Sequence, residues 1–231
     1  MSSAARLQFE FVSSEKSVRG ETEIDKVVIA GWTGRDAAAL QAHIDELAEM
    51  GIPGPAEVPM FYRTSAAHLT TADAIQVMGP DSSGEVECFY LQWGGELWLG
   101  VGSEHTDRKA ETVGITLAKQ LCEKPLGKTL WRFADVAAHL DDLILRAWIT
   151  EGDSRVLYQE GTLAEMRPCD ELVARYSDAK GLADGTLMFG GTLAAIGGVR
   201  PAARFEFELE DPVLGRRIAH GYDIEELPVT G

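Results

Sequence analysis

Residues 85–101 constrain the fold more than any other stretch of the sequence. Two runs, 85–93 (EVECFYLQW) and 96–101 (ELWLGV), read as strands, and only Gly94-Gly95 separates them. A glycine pair accepts the positive φ angles of a tight turn, so the spacing predicts a β-hairpin. A second hairpin is expected around Glu151-Gly152-Asp153, between strands at 147–149 and 155–159. Residues 7–12 and 204–210 alternate apolar with polar, and 26–30, 186–189 and a segment near Ile218 also read as strands. Helical signals are sparser. Asp36 can cap a helix carrying Leu40, Ile44 and Leu47 at helical spacing, with Gly51 available to close it. Short helices are expected near 133–140 and 170–176, and 51–59 is a loop by its proline and glycine content. Many short strands with few long helices predict an α+β, β-rich sandwich or barrel carrying short peripheral helices.

A chain of 231 residues with 45% hydrophobic content can bury a sizeable core, and residues 1–231 are read as one domain. The net charge of −16 and pI near 4.7 leave no basic face for nucleic acid or for an anionic membrane. Cys88, Cys122 and Cys169 are odd in number, widely spaced and form no CxxC pair, so neither a disulfide framework nor a zinc knuckle is expected. A soluble protein of the reducing cytoplasm fits. The amino terminus carries no apolar targeting stretch, and residues 185–199 are glycine-broken and too short to span a bilayer.

Chemistry concentrates at the acids beside the first hairpin. Successive strand side chains alternate faces, which puts Glu85 and Glu87 on one side, two residue rises apart, within reach of a single ion. Hard cations such as Mg²⁺ or Mn²⁺ take oxygen ligands, and a third acid with waters would complete such a site. An isolated E-x-E is more often a solvated strand face. Glu104, in GSEHTDR just beyond the second strand, lies where a strand end can return beside the first. Cys88 alternates away from both acids. Gly190-Gly191 and Gly197-Gly198 complete no nucleotide-binding motif. His68, His139 and His220 lack partner spacing and read as structural.

Glu85-Val86-Glu87 followed by Glu104-His105-Thr106-Asp107-Arg108 resembles the E-x-E and D-x-[ST]-A-R metal signature of the fumarylacetoacetate hydrolase superfamily, with Glu for the usual Asp. Further words follow the family's order. His43-Ile44-Asp45-Glu46 with Pro55, Pro59 and Phe61-Tyr62-Arg63 is similar to its H-x-x-E element and P-x-x-P-x-x-F-x-K continuation. Thr116 to Lys119, Arg155 to Met166 and Leu182 to Gly198 resemble three later segments, so the likeness spans roughly residues 28–215. Departures include Arg63 for lysine, Leu193 for proline, a shorter connection between Glu87 and Glu104, and Glu111 where members often carry a substrate-binding glutamine.

The resemblance implies the superfamily's mixed β-sandwich or roll, a homodimer, and Mg²⁺ or Mn²⁺ held by Glu85, Glu87 and Glu104. It also implies hydrolysis of a C–C bond in an acylpyruvate-like β-diketo or 2-oxo acid. His43 and Glu46, three apart on one helix, would be a general base and its orienter, although such spacing also describes an ordinary surface pair. Lys119 would stabilise an enolate. Arg63, Arg108, Glu111 and Thr192 would contact substrate, Thr192 through its hydroxyl and nearby backbone N–H groups. Dehydration, tautomerisation or decarboxylation of a 2-oxo acid uses the same scaffold, and a non-catalytic ligand-binding protein is the remaining alternative.

Overall fold

The structure is a computed structural model describing residues 4–49 and 54–230; the side chains of 43 and 46–49 fall outside that description. In chain order the principal strands are β1 (Ala5–Val12), β2 (Ser17–Ile24), β3 (Lys26–Gly31), β4 (Met60–Thr64), β5 (Ala74–Met78), β6 (Val86–Trp93) and β7 (Glu96–Ser103). They continue with β8 (Thr129–Arg132), β9 (Ile144–Glu151), β10 (Ser154–Thr162), β11 (Thr186–Thr192), β12 (Arg204–Asp211) and β13 (Arg216–Leu227). The longer helices are α1 (Ala37–Glu49) and α2 (Cys169–Ser177).

Two mixed sheets result. The larger runs β2-β1-β8-β7-β6-β11-β3-β4, and the smaller runs β10-β9-β12-β13-β5. Gly94 and Gly95, at φ 63° and 79°, turn β6 into β7, and Gly152 at 58° turns β9 into β10, as their residue types require. Asp36 accepts hydrogen bonds from the N–H groups of Ala38 and Ala39 at 2.9 and 3.1 Å, capping α1. The expected helix near 133–140 is two 3₁₀ turns, Phe133–Asp135 and Ala137–Asp142.

Strand alternation builds the core. β9 and β12 bury every second residue, and Leu145, Ala147, Ile149, Phe205, Phe207 and Leu209 meet Val86, Cys88 and Val101 of the large sheet. β6 is buried on both faces, so Phe89 and Leu91 join Phe9, Val27, Leu130 and Phe189 in a second cluster. Burying that much apolar surface is the main stabilising term, at roughly 25 cal/mol per Å². Leu172 of α2 caps Val28, Ala30 and Met188. This frame packs β6, β7 and β11 on both sides, and the candidate site stands on their ends. Among the described residues, no helix is long and apolar enough to cross a membrane.

Candidate metal centre

The register of the first hairpin brings the acids together. β6 and β7 pair Val86 with Ser103 and Glu87 with Gly102, and beyond the last pair the N–H of Glu104 donates to the carbonyl of Glu85 at 3.0 Å. Carboxylate oxygens of Glu85, Glu87 and Glu104 consequently lie within 4.8 Å of one another. Glu87 and Glu104 are buried, whereas Glu85 is partly open.

The three carboxyls have different settings. Burial pushes Glu87 well above the usual carboxylate range, and the charges of Glu104 and Glu85 push it further. Its support is a 2.9 Å hydrogen bond from the N–H of Gly191. That N–H is turned inward by an irregularity in β11 between Phe189 and Thr192, with Gly191 at φ 104°. Only glycine fits there, because a Cβ would stand 1.7 Å from Oγ1 of Thr33.

Burial would raise Glu104 too, but two lysines outweigh it and hold its carboxyl down at about 2. Lys124 Nζ lies 2.8 Å from Oε1, Lys119 Nζ pairs with Oε2, and the Thr106 hydroxyl donates to Oε2 at 2.9 Å. Lys119 keeps a raised pKa despite burial because Glu104 and Glu85 face it, and its ammonium sits 5.6 Å from the centre of the Tyr62 ring. Glu85 pairs at 2.8 Å with Arg108, whose guanidinium also reaches Glu111 at 3.1 Å and the Ser83 hydroxyl at 2.7 Å.

The donor set fits a hard divalent cation. It is all oxygen, converges on one point, and includes a carboxyl, Glu87, whose charged form burial and then the charges of Glu104 and Glu85 disfavour, a penalty that a cation would relieve. Glu85, Glu87 and Glu104 would hold the ion.

Beside the acids lies a cavity of about 520 Å³. Glu85, Glu87, Lys119, Thr192 and Glu111 line it together with Trp32, Tyr62, Leu40 and Ile115. The cavity thus gathers Lys119, Glu111 and Thr192 from the sequence-derived set, and Arg108 stands behind Glu85 and Glu111. His43 and Glu46 belong to α1, whose Leu40 lines the cavity, but their side chains lie outside the described residues.

Two expectations need correction. Arg63 is exposed, donates to the carbonyl of Val27 at 3.0 Å and does not line the cavity. Alternation along β4 presents its neighbour Tyr62 instead. The Thr192 hydroxyl is already committed: it donates to the Val86 carbonyl at 2.8 Å and accepts from the Gln159 amide at 2.8 Å. The nearby N–H of Gly191 is spent on Glu87.

Sequence reasoning overlooked Lys124, Tyr62 and Trp32. Lys124, within CEKPL, is fully buried, but nothing in its local sequence marks it as such. Trp32 adopts φ 61°, rare for a residue with a Cβ, at the cavity wall, and its indole N–H donates to the Tyr62 hydroxyl at 3.3 Å. No residue pattern announces that conformation. His105 is buried between the Tyr222 and Ser82 hydroxyls, at 2.8 and 2.9 Å, and burial with Lys124 and Arg108 lowers its pKa to about 3. His139 contacts Asp211 at 3.1 Å and His220 the Ala72 carbonyl at 3.1 Å.

Comparison with known proteins gives the geometry a setting. No curated protein matches the sequence. Among solved structures, yeast ynq8, described as a fumarylacetoacetate hydrolase family protein, aligns with a TM-score of 0.62 at 16% identity, covering 90% of this chain and 95% of that one. Fumarylacetoacetate hydrolase from psychrophilic Exiguobacterium antarcticum aligns at 0.64 with 14% identity, covering 92% and 82%. A 2-keto-3-deoxy-D-arabinonate dehydratase complexed with magnesium and 2,5-dioxopentanoate aligns at 0.62 with 14% identity, covering 91% and 77%. The fold is therefore that of the fumarylacetoacetate hydrolase superfamily. Residues 30–222 match the family described as "Protein of unknown function (DUF2848)", and the chain belongs to that family.

Proposed function

We propose that this protein is a divalent-metal-dependent enzyme of small-molecule catabolism, and that it hydrolyses a C–C bond in an acylpyruvate-like β-diketo acid. The observation carrying this reading is the convergence of Glu85, Glu87 and Glu104 within 4.8 Å beside a cavity of about 520 Å³. Mg²⁺ or Mn²⁺ in that position would supply Lewis-acid polarisation of the substrate's oxo groups.

The chain's own residues divide the remaining work. Lys119, held as a cation by Glu104 and Glu85, is unsuited to act as a base near neutral pH and suited to stabilise developing negative charge on a substrate oxygen. Arg108 fixes Glu85 and Glu111 with one planar guanidinium. Tyr62, Leu40 and Ile115 give the cavity largely apolar walls. His43, on the helix that borders the cavity, would take the proton of the attacking water, with Glu46 orienting the imidazole. A homodimer and a cytoplasmic location are retained as parts of the proposal, the latter in keeping with three free, buried cysteines.

Dehydration of a 2-oxo acid is the second reading, favoured by the magnesium-bound dehydratase that shares the fold; tautomerisation and decarboxylation would use the same centre. Turnover of a panel of 1,3-dioxo and 2-oxo acids, with Mg²⁺, Mn²⁺ or EDTA, separates these readings by product. In the hydrolytic reading, His43→Ala lowers kcat about 10²- to 10⁴-fold while metal binding persists. Unchanged turnover would remove His43 from the mechanism. Absence of both turnover and metal binding would leave a ligand-binding protein.

A further inference from the structure

The ladder between β6 and β11 is broken beside the metal ligands. Phe89 pairs with Phe189 but Glu87 pairs with Thr192, so three residue steps on β11 run against two on β6. A bulge of this kind frees backbone groups that need other partners when buried. A second bulge lies in the smaller sheet. There Ala147 pairs with Gln159 and Trp148 with Leu157, which leaves Tyr158 as the extra residue of β10. It breaks strand alternation, and the consecutive residues Tyr158 and Gln159 are both buried, each 1% exposed. The second bulge thereby aims Gln159 at the first.

Both ends of the Gln159 amide are used. Oε1 accepts from the Val86 N–H at 2.9 Å, while Nε2 donates to Oγ1 of Thr192 at 2.8 Å and to the Leu193 carbonyl at 2.6 Å. The Thr192 hydroxyl in turn donates to the Val86 carbonyl at 2.8 Å. Val86 stands between Glu85 and Glu87, so both backbone groups of the residue joining two metal ligands are held by Gln159 and Thr192, and Gln159 holds Thr192. The Tyr158 carbonyl adds a 2.7 Å bond from the N–H of Ile196. The segment clamped in this way lines the cavity through Thr192, Leu193, Ala194 and Ala195, and its Gly191 supplies the N–H on Glu87. A primary amide offers one acceptor and two donors, which is what these partners require. Turned over, it would set its NH₂ against the Val86 N–H and its oxygen against the Leu193 carbonyl, and an ionised glutamate of the same shape has no proton for Thr192 or Leu193.

We propose that Gln159 is a positioning residue of the metal centre: by fixing the backbone of Glu85–Val86–Glu87 against that of Gly191–Leu193, it sets where Glu87 and Glu85 meet the ion and how the cavity wall stands beside them. The inference rests on the metal-site reading above. Groups that orient a metal ligand without touching the metal commonly change affinity by about 10- to 100-fold when lost, and Gln159 would act in the same sense through the backbone.

The test reads metal affinity apart from stability. Mn²⁺ is titrated by calorimetry, and its electron paramagnetic resonance line shape recorded, for the wild type, Gln159→Met, Gln159→Glu, Thr192→Val and Thr192→Ser. Leu209→Ala, in the buried core of β12, serves as a control for lost packing alone. Both Gln159 variants should weaken Mn²⁺ binding about 10- to 100-fold and broaden the signal. Thr192→Val should act in the same direction, while Thr192→Ser, which keeps the hydroxyl, stays near the wild type. Leu209→Ala should lower the melting temperature yet leave Kd within about twofold, as expected of an independent site. Folded Gln159 variants with wild-type Kd and line shape, or with changes no larger than those of Leu209→Ala, overturn the positioning role and leave the metal reading standing. If Gln159→Met and Gln159→Glu do not fold, the Thr192 pair decides, and equal Kd in Thr192→Val and Thr192→Ser overturns the clamp. A wild type that binds no Mn²⁺ at millimolar concentration removes the metal reading, and this inference falls with it.

Discussion

The floor and the rim of the cavity carry similar charges in opposite circumstances. At the floor, behind the lining residues, Glu104 and Lys124 are fully buried and touch at 2.8 Å, with Lys119, which does line the cavity, on the other carboxylate oxygen. At the rim, Arg108 joins Glu85 and Glu111 with all three side chains partly open to solvent. A buried pair cannot exchange its partner for water, so the floor is welded into the fold. A rim pair can, which leaves it free to respond to a ligand.

The largest effect should come from Lys124. Lys124→Met removes one of two cations from a buried carboxylate and leaves the His105 carbonyl without its ammonium donor. Breaking a buried pair on one side costs about 3–5 kcal/mol, readable by chemical denaturation. A loss below about 1 kcal/mol would show that the floor is not structural.

Metal should act on the floor with the opposite sign. At about 100 times Kd, Mg²⁺ or Mn²⁺ is expected to stabilise the wild type by roughly 2.7 kcal/mol, visible as a thermal shift. Glu87→Gln should lose most of that shift while the metal-free variant is no less stable, because a like-charge contact is gone and an acceptor for Gly191 remains. A melting temperature indifferent to metal and to EDTA would sink the metal centre.

Acid provides a third probe. The His105 pKa is lowered to about 3, so between that value and its ordinary 6.5 the unfolded chain binds the proton that the folded chain refuses. Stability contributed by the neutral ring is present above pH 6.5 and is lost as pH falls towards 3, at up to about 1.4 kcal/mol per pH unit. Glu104, held at about 2, adds a loss of the same sign below its ordinary value near 4.5, whereas Glu87, raised, loses stability as pH climbs. The difference in slope between wild type and His105→Gln isolates the histidine. Identical slopes between pH 4 and 6.5 would mean that His105 titrates freely.

Legibility in the sequence followed the same division. Gly94-Gly95 and the alternation of residues 204–210 declared the hairpin and the β-rich class, because local conformation and period suffice for both. β2 (SVRGETEI) and β5 (AIQVM) passed unrecognised: they are sheet-edge strands whose pairing comes from distant partners. The three glutamates were legible because their spacing and order survive in the chain. Lys124 was not, since its meaning depends on a contact across 20 residues, and Arg63, carried over from the family's lysine, stands one step of strand alternation from the Tyr62 that lines the cavity.

The smallest expected effect is the one that tests the division itself. Glu111→Gln removes the rim's outer ion pair but leaves Arg108 on Glu85 and Ser83. Partly exposed pairs contribute about 0–1 kcal/mol and are screened by salt, so the variant should unfold within about 1 kcal/mol of the wild type. Raising ionic strength should narrow even that gap, whereas the cost of Lys124→Met should persist, since water and salt do not reach a fully buried pair. A salt-insensitive loss from Glu111→Gln as large as that from Lys124→Met would mean that the rim is as structural as the floor. Arg108 would then be a brace for the fold, and a substrate contact of Glu111 could not be read apart from damage to Glu85.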